Sequence, residues 1–105
     1  MTGRMPGADF TEAVLDVVTA IPPGRVMTYG DVAAALGSRA ARAVGRVMAT
    51  AGHEVPWWRV IRASGLPAIG HEDRARRHFD AEGTPLVDTA DGGYKIDLRA
   101  ARHRP

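Results

Sequence analysis

The apolar positions follow a helical period in the first third of the chain. The first stripe consists of Phe10, Val14, Val17, Val18 and Ile21. This spacing predicts a core-facing helix over Asp9–Ala20. Asp9 and Glu12 would begin it as a capping box, and the Pro-Pro-Gly sequence at 22–24 would end it. We expect residues 1–8, which precede the stripe, to be disordered.

Two further helices are predicted on either side of Gly37. Thr28 is expected to cap a short helix that ends near Leu36, and Ser38 is expected to cap a helix from Arg39 to about Thr50. Two helices joined by a tight glycine turn are typical of a helix-turn-helix motif. Many helix pairs that do not bind DNA share this pattern, so by itself it is only suggestive.

The third predicted helix has two contrasting faces. Its core-facing positions are Ala40, Ala41, Val44, Val47, Met48 and Ala51. The opposite face carries Arg39, Arg42 and Arg46 beside the small residues Ala43, Gly45, Ala49 and Thr50. Small residues beside a row of arginines would let the helix lie close to DNA, although a solvated arginine face explains the pattern equally well. Gly45 favours the functional interpretation, because glycine inside a helix costs about 1 kcal/mol relative to alanine.

The rest of the chain predicts shorter elements. Residues 52–70 are expected to form loops and short extended segments, followed by a helix over His71–Ala81 that Gly83 ends. Two strand-like segments, Leu86–Thr89 and Tyr94–Leu98, flank an Asp-Gly-Gly sequence and predict a hairpin that serves as a wing or brace. We therefore expect one domain over residues 1–105, mainly α with a small C-terminal β-hairpin.

Composition excludes several kinds of chemistry. The 105 residues include no cysteine, so disulfides, thiolate metal sites and thiol nucleophiles are all absent. The net charge is only +2, yet residues 38–62 contain five arginines against the single acidic residue Glu54. Such a local basic patch is the electrostatic footprint of a polyanionic partner. The four histidines lack metal-ligand spacing and are interpreted as surface residues: His53, His71, His78 and His103.

The sequence also gives expectations about location and assembly. No apolar stretch approaches the roughly 20 residues of a membrane span, and the N-terminal sequence lacks the apolar region of a signal peptide. We expect a cytoplasmic protein, associated with the nucleoid if the source is bacterial, with no membrane partner, metal or cofactor. No dimerisation helix is evident, which predicts a monomer.

Three motifs follow one another between residues 10 and 87: IPPGRVMTYGDVAAALG, then ARAVGRVM, then VPWWRVI. Together they resemble the DNA-binding domain of the O6-alkylguanine-DNA alkyltransferase family, which implies a winged helix-turn-helix fold. In that family the third motif is Pro-Cys-His-Arg-Val, and its cysteine accepts the alkyl group. Here the motif is Pro56-Trp57-Trp58-Arg59-Val60. The alkyltransferase-like sub-family has this change from cysteine to tryptophan and a C-terminal tail similar to residues 92–98.

The chemistry of the replaced residue agrees with that resemblance. Removing an alkyl group from guanine O6 requires a strong, soft nucleophile such as a thiolate, and an indole is only a hydrogen-bond donor. The resemblance implies a non-enzymatic sensor that flips O6-alkylguanine out of double-stranded DNA and flags it for nucleotide excision repair. Its partners would be damaged duplex DNA and excision-repair proteins.

The resemblance also assigns roles to single residues. Tyr29 would push the backbone phosphate of the damaged nucleotide, and Arg42 would fill the space that the nucleotide leaves. The lesion pocket would include Pro56, Trp57, Trp58 and Val60. Because neighbours in an extended segment point to opposite faces, we expect Trp57 to line the pocket and Trp58 to pack inward. Further DNA contacts are expected from Thr28, Arg39, Ala43, Gly45, Arg46 and Arg59.

Three departures from the family pattern are visible. The hinge asparagine expected near residues 51–53 is absent, the loop 66–71 lacks the usual tyrosine, and Trp58 replaces the usual histidine. Two other functions stay open. A winged-helix transcriptional regulator would bind an undamaged sequence, and an enzyme would need another nucleophile or an activated water, for which the sequence offers no convincing pair.

Overall fold

The computed structural model describes residues 6–105, with side chains from Asp9 onward, and it confirms a mainly helical fold with a small hairpin. Two short 3-10 turns, Gly52–Glu54 and Trp57–Arg59, separate the third helix from the second strand. The elements in chain order are α1 (Pro6–Thr19), β1 (Met27–Thr28), α2 (Tyr29–Ala35), α3 (Ala41–Ala51), β2 (Val60–Ile61), α4 (Glu72–Glu82), β3 (Leu86–Asp88), β4 (Tyr94–Ile96) and α5 (Leu98–Ala101).

Helix α1 begins earlier than the capping pattern predicts. Its first residue is Pro6, whose fixed φ suits the first helical position, so Asp9 lies in the first turn and is not the cap. Residues 6–8 are therefore helical rather than disordered. The expectation for residues 1–5 lies outside the described part of the chain. The predicted apolar stripe does face the core, with Val14 and Val18 fully buried.

A short parallel pair of strands, which the sequence pattern did not predict, organises the interior. Strand β1 pairs with β2, with Met27 opposite Val60. Met27 and Val60 pack into one apolar cluster with α1, α2 and α3. Their neighbours Val26 and Ile61 pack into a second cluster with α4 and the hairpin. This alternation follows from the two-residue period of extended backbone, and it divides the core into two halves.

Helices α2 and α3 pack together across the turn at Gly37, which has a φ of 70°. Helix α3 begins two residues later than predicted. Ala40 occupies its cap position, and the Ser38 hydroxyl accepts a bond from the Ala40 amide within the preceding turn. Ala40 is exposed, so its predicted core position is wrong, whereas Val44 and Val47 are buried as predicted.

The C-terminal hairpin braces α4 and the loop before it. Strands β3 and β4 pair antiparallel, and the Ile96 amide donates to the Gly65 carbonyl at 2.8 Å. The Tyr94 hydroxyl donates to the Glu72 carbonyl at 2.6 Å. Strand β4 ends at Ile96, short of the predicted Leu98, because Asp97 caps the short helix α5.

Candidate nucleic-acid interface and base-binding cavity

A cavity of about 440 Å³ opens between the helix pair α2–α3 on one side and residues 57–74 on the other. It lies where the two apolar clusters meet, since Tyr29 packs on the first and Trp57 on the second. Its volume falls within the ~300–1,000 Å³ typical of ligand sites. The lining residues are Tyr29, Gly45, Met48, Ala49, Gly52, His53, Trp57, Arg62, Ala68, Ile69, His71 and Arg74.

Tyr29 is the first residue of α2, and a capping box holds that end of the helix. The Thr28 hydroxyl accepts from the Asp31 amide at 3.0 Å, and the Asp31 carboxylate accepts from the Thr28 amide at 3.1 Å. Burial raises the pKa of Tyr29, an effect that the positive charge of Arg62 partly opposes. The phenol therefore stays protonated at neutral pH and can donate a hydrogen bond.

Thr28 itself does not belong to a DNA-contacting surface. Its side chain is buried, with 4% of the residue exposed, and its hydroxyl is occupied by the cap. The predicted contact with DNA is therefore wrong, and the predicted capping role is confirmed. The residue acts on the site indirectly, by fixing where Tyr29 begins the helix.

A tight turn at Pro56 carries Trp57 into the cavity. Pro56 has φ −69° and ψ 70°, and the Trp57 amide donates to the Val55 carbonyl at 2.6 Å, which is an inverse γ-turn. The chain then enters the 3-10 turn Trp57–Arg59. The predicted division between the two tryptophans is confirmed, with Trp57 in the cavity wall and Trp58 outside it. The cause differs from the prediction, because helical rotation and not strand alternation separates the two rings.

Trp57 lies among cationic and imidazole groups. The Arg74 guanidinium carbon is 5.1 Å from the centre of its ring, in a cation–π arrangement. The His71 ring centre is 5.5 Å away, tilted by 57°. The Trp57 ring, which forms the aromatic wall of the cavity, is thus covered on one side by the Arg74 guanidinium of α4.

Trp58 is instead a structural residue. Its ring stacks on His78 with centres 3.6 Å apart and planes 6° apart, and its indole N–H donates to Glu82 Oε2 at 3.1 Å. Trp58 packs inward as predicted, and it does not line the cavity. The interpretation of His78 as a surface residue is wrong for the same reason, because its ring is half-buried against Trp58.

Arg59 forms the central ion pair of the fold. Its Nε donates to Glu82 Oε1 at 3.0 Å, its Nη2 contacts Glu82 Oε2, and its Nη1 donates to the Ile21 carbonyl at 2.9 Å. Only 12% of the Arg59 side chain and 13% of the Glu82 side chain are exposed. The predicted DNA contact of Arg59 is therefore wrong, because its side chain is nearly buried and each guanidinium nitrogen donates to a partner within the protein.

Glu82 also accepts from the Gly24 amide at 3.1 Å, so it ties three segments together. Burial alone would raise the pKa of Glu82, but the bonds from Arg59, Gly24 and Trp58 outweigh burial and lower its pKa. The carboxylate is consequently ionised at neutral pH. It anchors the turn that presents Trp57.

Two other predicted pocket residues do not line the cavity. Val60 is 1% exposed and packs into the first apolar cluster through β2. Pro56 sets the turn before Trp57 without facing the cavity. Both act by placing Trp57, so of the four predicted pocket residues only Trp57 contacts the cavity.

The arginine face predicted for the third helix is exposed, but only Arg42 and Arg46 are on α3, because Arg39 lies before the Ala40 cap. Arg39, Arg42 and Arg46 are all exposed, and within the described residues none of the three forms an ion pair. Ala43 is half-buried between them. Free guanidinium groups in one row form a surface suited to phosphates.

Gly45 joins this arginine face to the cavity. A Cβ atom built at Gly45 would meet no atom within 4 Å, so internal packing gives no reason for glycine there. Gly45 nevertheless lines the cavity. The missing side chain leaves room on the outside of α3, where a ligand backbone could approach.

Several cavity residues were not singled out by the sequence pattern. Ile69 and Arg74 gave no local signal, because α4 and the loop before it reach the cavity only through tertiary packing. Met48 is predicted as a core position of the third helix, and it lines the cavity from α3. Arg62 belongs to the basic patch of residues 38–62, but the sequence assigns it no role. The histidine interpretation is also incomplete, since the exposed residues His53 and His71 both line the cavity.

Some kinds of site are not found in the part of the chain that the structure covers. Among residues 6–105, no group of three or more histidine and acidic side chains is placed to hold a metal ion. No helix in the same range is long and apolar enough to cross a membrane.

Comparison with known proteins decides the family. Residues 9–84 match the family described as the DNA binding domain of 6-O-methylguanine DNA methyltransferase. The chain is 35% identical over 104 residues to alkyltransferase-like protein 1 of Schizosaccharomyces pombe, covering 92% of this chain and 96% of that one. It belongs to the alkyltransferase-like family. It is also 41% identical over 98 residues to the DNA base-flipping protein of Escherichia coli, covering 89% of this chain and 73% of that protein.

Solved structures support the same family assignment for this chain. The S. pombe alkyltransferase-like protein in complex with damaged DNA containing O6-carboxymethylguanine is 34% identical, with a TM-score of 0.82 over 97% of this chain and 99% of that chain. A variant of the Mycobacterium tuberculosis O6-methylguanine methyltransferase is 32% identical, with a TM-score of 0.59. That match covers 84% of this chain and 55% of the methyltransferase chain.

Proposed function

We propose that this protein is a non-enzymatic sensor of O6-alkylguanine in double-stranded DNA. The supporting observation is the arrangement of one cavity, which joins Tyr29, the small-residue face of α3 and the ring of Trp57 beside a row of free arginines. One relative with this fold has been solved in complex with damaged DNA, and others are named for base flipping. Both facts support the same activity here.

Binding would begin with the arginine face of α3. Arg39 and Arg46 would neutralise phosphates, while the small residues Ala43 and Gly45 let the helix lie against the minor groove. Arg42 would enter the stack and occupy the space of the displaced nucleotide, since a guanidinium can both stack on bases and donate hydrogen bonds. Flipping costs a few kcal/mol and is least costly at a damaged pair, which favours the lesion.

The flipped base would enter the cavity next to α3. Tyr29, whose hydroxyl is protonated, can donate to the phosphate of the rotated nucleotide. The alkylated base would pack on Trp57, and contacts between a base and an aromatic ring are typically worth about 1–3 kcal/mol. Met48 and Ile69 supply apolar surface for the alkyl group.

The protein would leave the alkyl group in place. The chain has no cysteine, and Trp57 stands where the resemblance places the acceptor thiol. A stable, unrepaired complex transmits a signal only if another activity recognises it. Nucleotide excision repair is the proposed recipient, acting on a monomeric complex in the cytoplasm or nucleoid.

The decisive experiment compares two duplexes that differ only by one O6-methylguanine. We expect clear preference for the damaged duplex, together with intact O6-methylguanine when the DNA is recovered and analysed by mass spectrometry. Tyr29→Ala should remove most of the preference, whereas Tyr29→Phe should retain the packing and lose only the hydroxyl contribution. Equal affinity for both duplexes would contradict the sensor and favour a winged-helix regulator of an undamaged sequence. Loss of the methyl group would identify an enzyme.

The link to repair has its own test. A reconstituted excision nuclease should cut a duplex with O6-methylguanine more efficiently when this protein is added. The efficiency with which it cuts an undamaged duplex should not change. If excision is unchanged or inhibited across protein concentrations, the proposed link is wrong while lesion binding still stands.

A further inference from the structure

The charged side chains that line the cavity are all positive. Two guanidinium groups line it, from Arg62 and Arg74, and no carboxylate does. Arg62 is partly engaged, because its Nε donates to the Pro67 carbonyl at 2.9 Å and its Nη2 lies 3.8 Å from Glu72 Oε2. Arg74 has no acidic partner among the described residues.

Arg74 is nonetheless held in a defined place. Its guanidinium carbon is 5.1 Å from the centre of the Trp57 ring, and its Nη1 is 3.5 Å from Nδ1 of His71. A base that packs on Trp57 must therefore lie beside a cation whose donors are largely unused. Arg74 is exposed, so its unused donors are open to an acceptor that a ligand brings into the cavity.

A guanidinium distinguishes adducts by charge more than by size. It can donate two parallel hydrogen bonds to a carboxylate, and such charge-assisted bonds are about twice as strong as neutral ones. An alkyl adduct of the same volume offers no acceptor to Arg74. A neutral amide offers one oxygen and no charge.

We propose that this cavity selects O6-alkylguanines whose adduct ends in a carboxylate, and that Arg74 is the residue that determines this selectivity. Arg62, on the same wall, adds to the positive potential but is already engaged by Pro67 and Glu72. Because the selectivity requires a flipped base in the cavity, it rests on the proposed function.

The test uses three duplexes of one sequence, each with a single lesion. The lesions are O6-methylguanine, O6-carboxymethylguanine and O6-carbamoylmethylguanine, the last being the neutral isostere of the second. We expect the carboxymethyl duplex to bind about tenfold more tightly than the carbamoylmethyl duplex, the size of one added charge-assisted interaction. The ratio should decrease as salt concentration rises.

Variants on α4 assign the effect to one residue. Arg74→Gln should bring the ratio close to one, and Arg74→Lys should retain part of it. Arg77→Gln is the matched control, since Arg77 is exposed on the same helix and does not line the cavity. Thermal unfolding of each variant verifies that it is folded.

The outcomes separate the two proposals. A ratio near one in the wild type, or a ratio that Arg74→Gln leaves unchanged, overturns the charge selectivity even when O6-methylguanine is still preferred over guanine. Absence of any preference for O6-methylguanine overturns the sensor and the selectivity together. A ratio that falls with Arg74→Gln but not with Arg77→Gln supports the selectivity.

Discussion

Two segments of the basic patch at residues 38–62 contain arginines with opposite roles, one exposed and one internal. Arg42 and Arg46 of α3 are exposed and form no ion pair with any described residue, whereas Arg59, at the end of the turn Trp57–Arg59, is enclosed by Glu82 and the Ile21 carbonyl. The exposed arginines of the first segment are available to bind a partner. The second is an internal anchor, because it fixes the turn that presents Trp57. Local charge density therefore does not distinguish a binding residue from an internal anchor.

The largest expected effect concerns the internal anchor. Glu82→Gln leaves the enclosed guanidinium of Arg59 without its counter-charge, and breaking such a buried pair costs about 3 kcal/mol of unfolding free energy. Urea unfolding followed by circular dichroism measures it. The matched control is Asp80→Asn, which removes an exposed ion pair with Arg76 on the same helix and should cost about 0.5 kcal/mol or less. Equal losses in the two variants would show that Arg59–Glu82 is not an anchor.

The same pair predicts a dependence on pH. The pKa of Glu82 is lowered by folding, so its contribution to stability is fully present above the unfolded pKa of about 4.3 and is lost as pH falls through the lower folded pKa. The difference in unfolding free energy between wild type and Glu82→Gln should therefore be constant near neutral pH and decrease below about pH 4. A difference that grows on acidification would mean that the carboxylate is not stabilised in its charged form.

The next effect concerns binding and leaves stability alone. Arg42→Ala should weaken binding to a duplex with O6-methylguanine by about 30-fold, or ~2 kcal/mol, because nothing would then fill the vacated stack. Its unfolding free energy should change by less than about 0.5 kcal/mol, since Arg42 is exposed. Fluorescence anisotropy measures the affinity, with Arg99→Ala on α5 as an exposed control. If Arg42→Ala destabilises the fold instead, the contrast with Arg59 disappears.

Gly45 should show stability and binding moving in opposite directions. Since a Cβ there meets no atom within 4 Å, Gly45→Ala should raise the unfolding free energy by about 1 kcal/mol through helix propensity. Affinity for the damaged duplex should fall, because the added methyl group occupies the space between α3 and the DNA. Unfolding and anisotropy measurements on one preparation test both. Unchanged affinity would show that DNA does not approach α3 at this position.

The smallest effect distinguishes positioning from recognition. Arg39→Gln should weaken binding to damaged and undamaged duplexes by a similar, severalfold amount, because a phosphate contact carries no information about the lesion. The slope of log affinity against log salt concentration should decrease in magnitude by about 1. A selective loss of lesion binding would instead assign Arg39 to the flipped nucleotide.

The order and type of most elements were accessible from local patterns. The apolar stripe of α1, the Thr28 cap, the turn at Gly37 and the hairpin near residues 91–93 are all encoded by neighbours within one or two helical turns. The observed ends of elements differ from the predicted ends where a nearby residue favours an earlier start or stop. Pro6 started α1 early, and the Asp97 cap ended β4.

The sequence by itself determined that no thiol chemistry is possible, and it singled out Tyr29 and Trp57, both of which line the cavity. Only the tertiary structure decided which aromatic and basic groups meet. The pairing of β1 with β2 and the packing of α4 against the Trp57–Arg59 turn bring Arg74 over Trp57 and enclose Arg59 with Glu82. Those partners lie 17 and 23 residues apart along the chain, beyond any helical or strand period, so no local pattern carries them. The position of a side chain relative to the cavity depends on those long-range contacts.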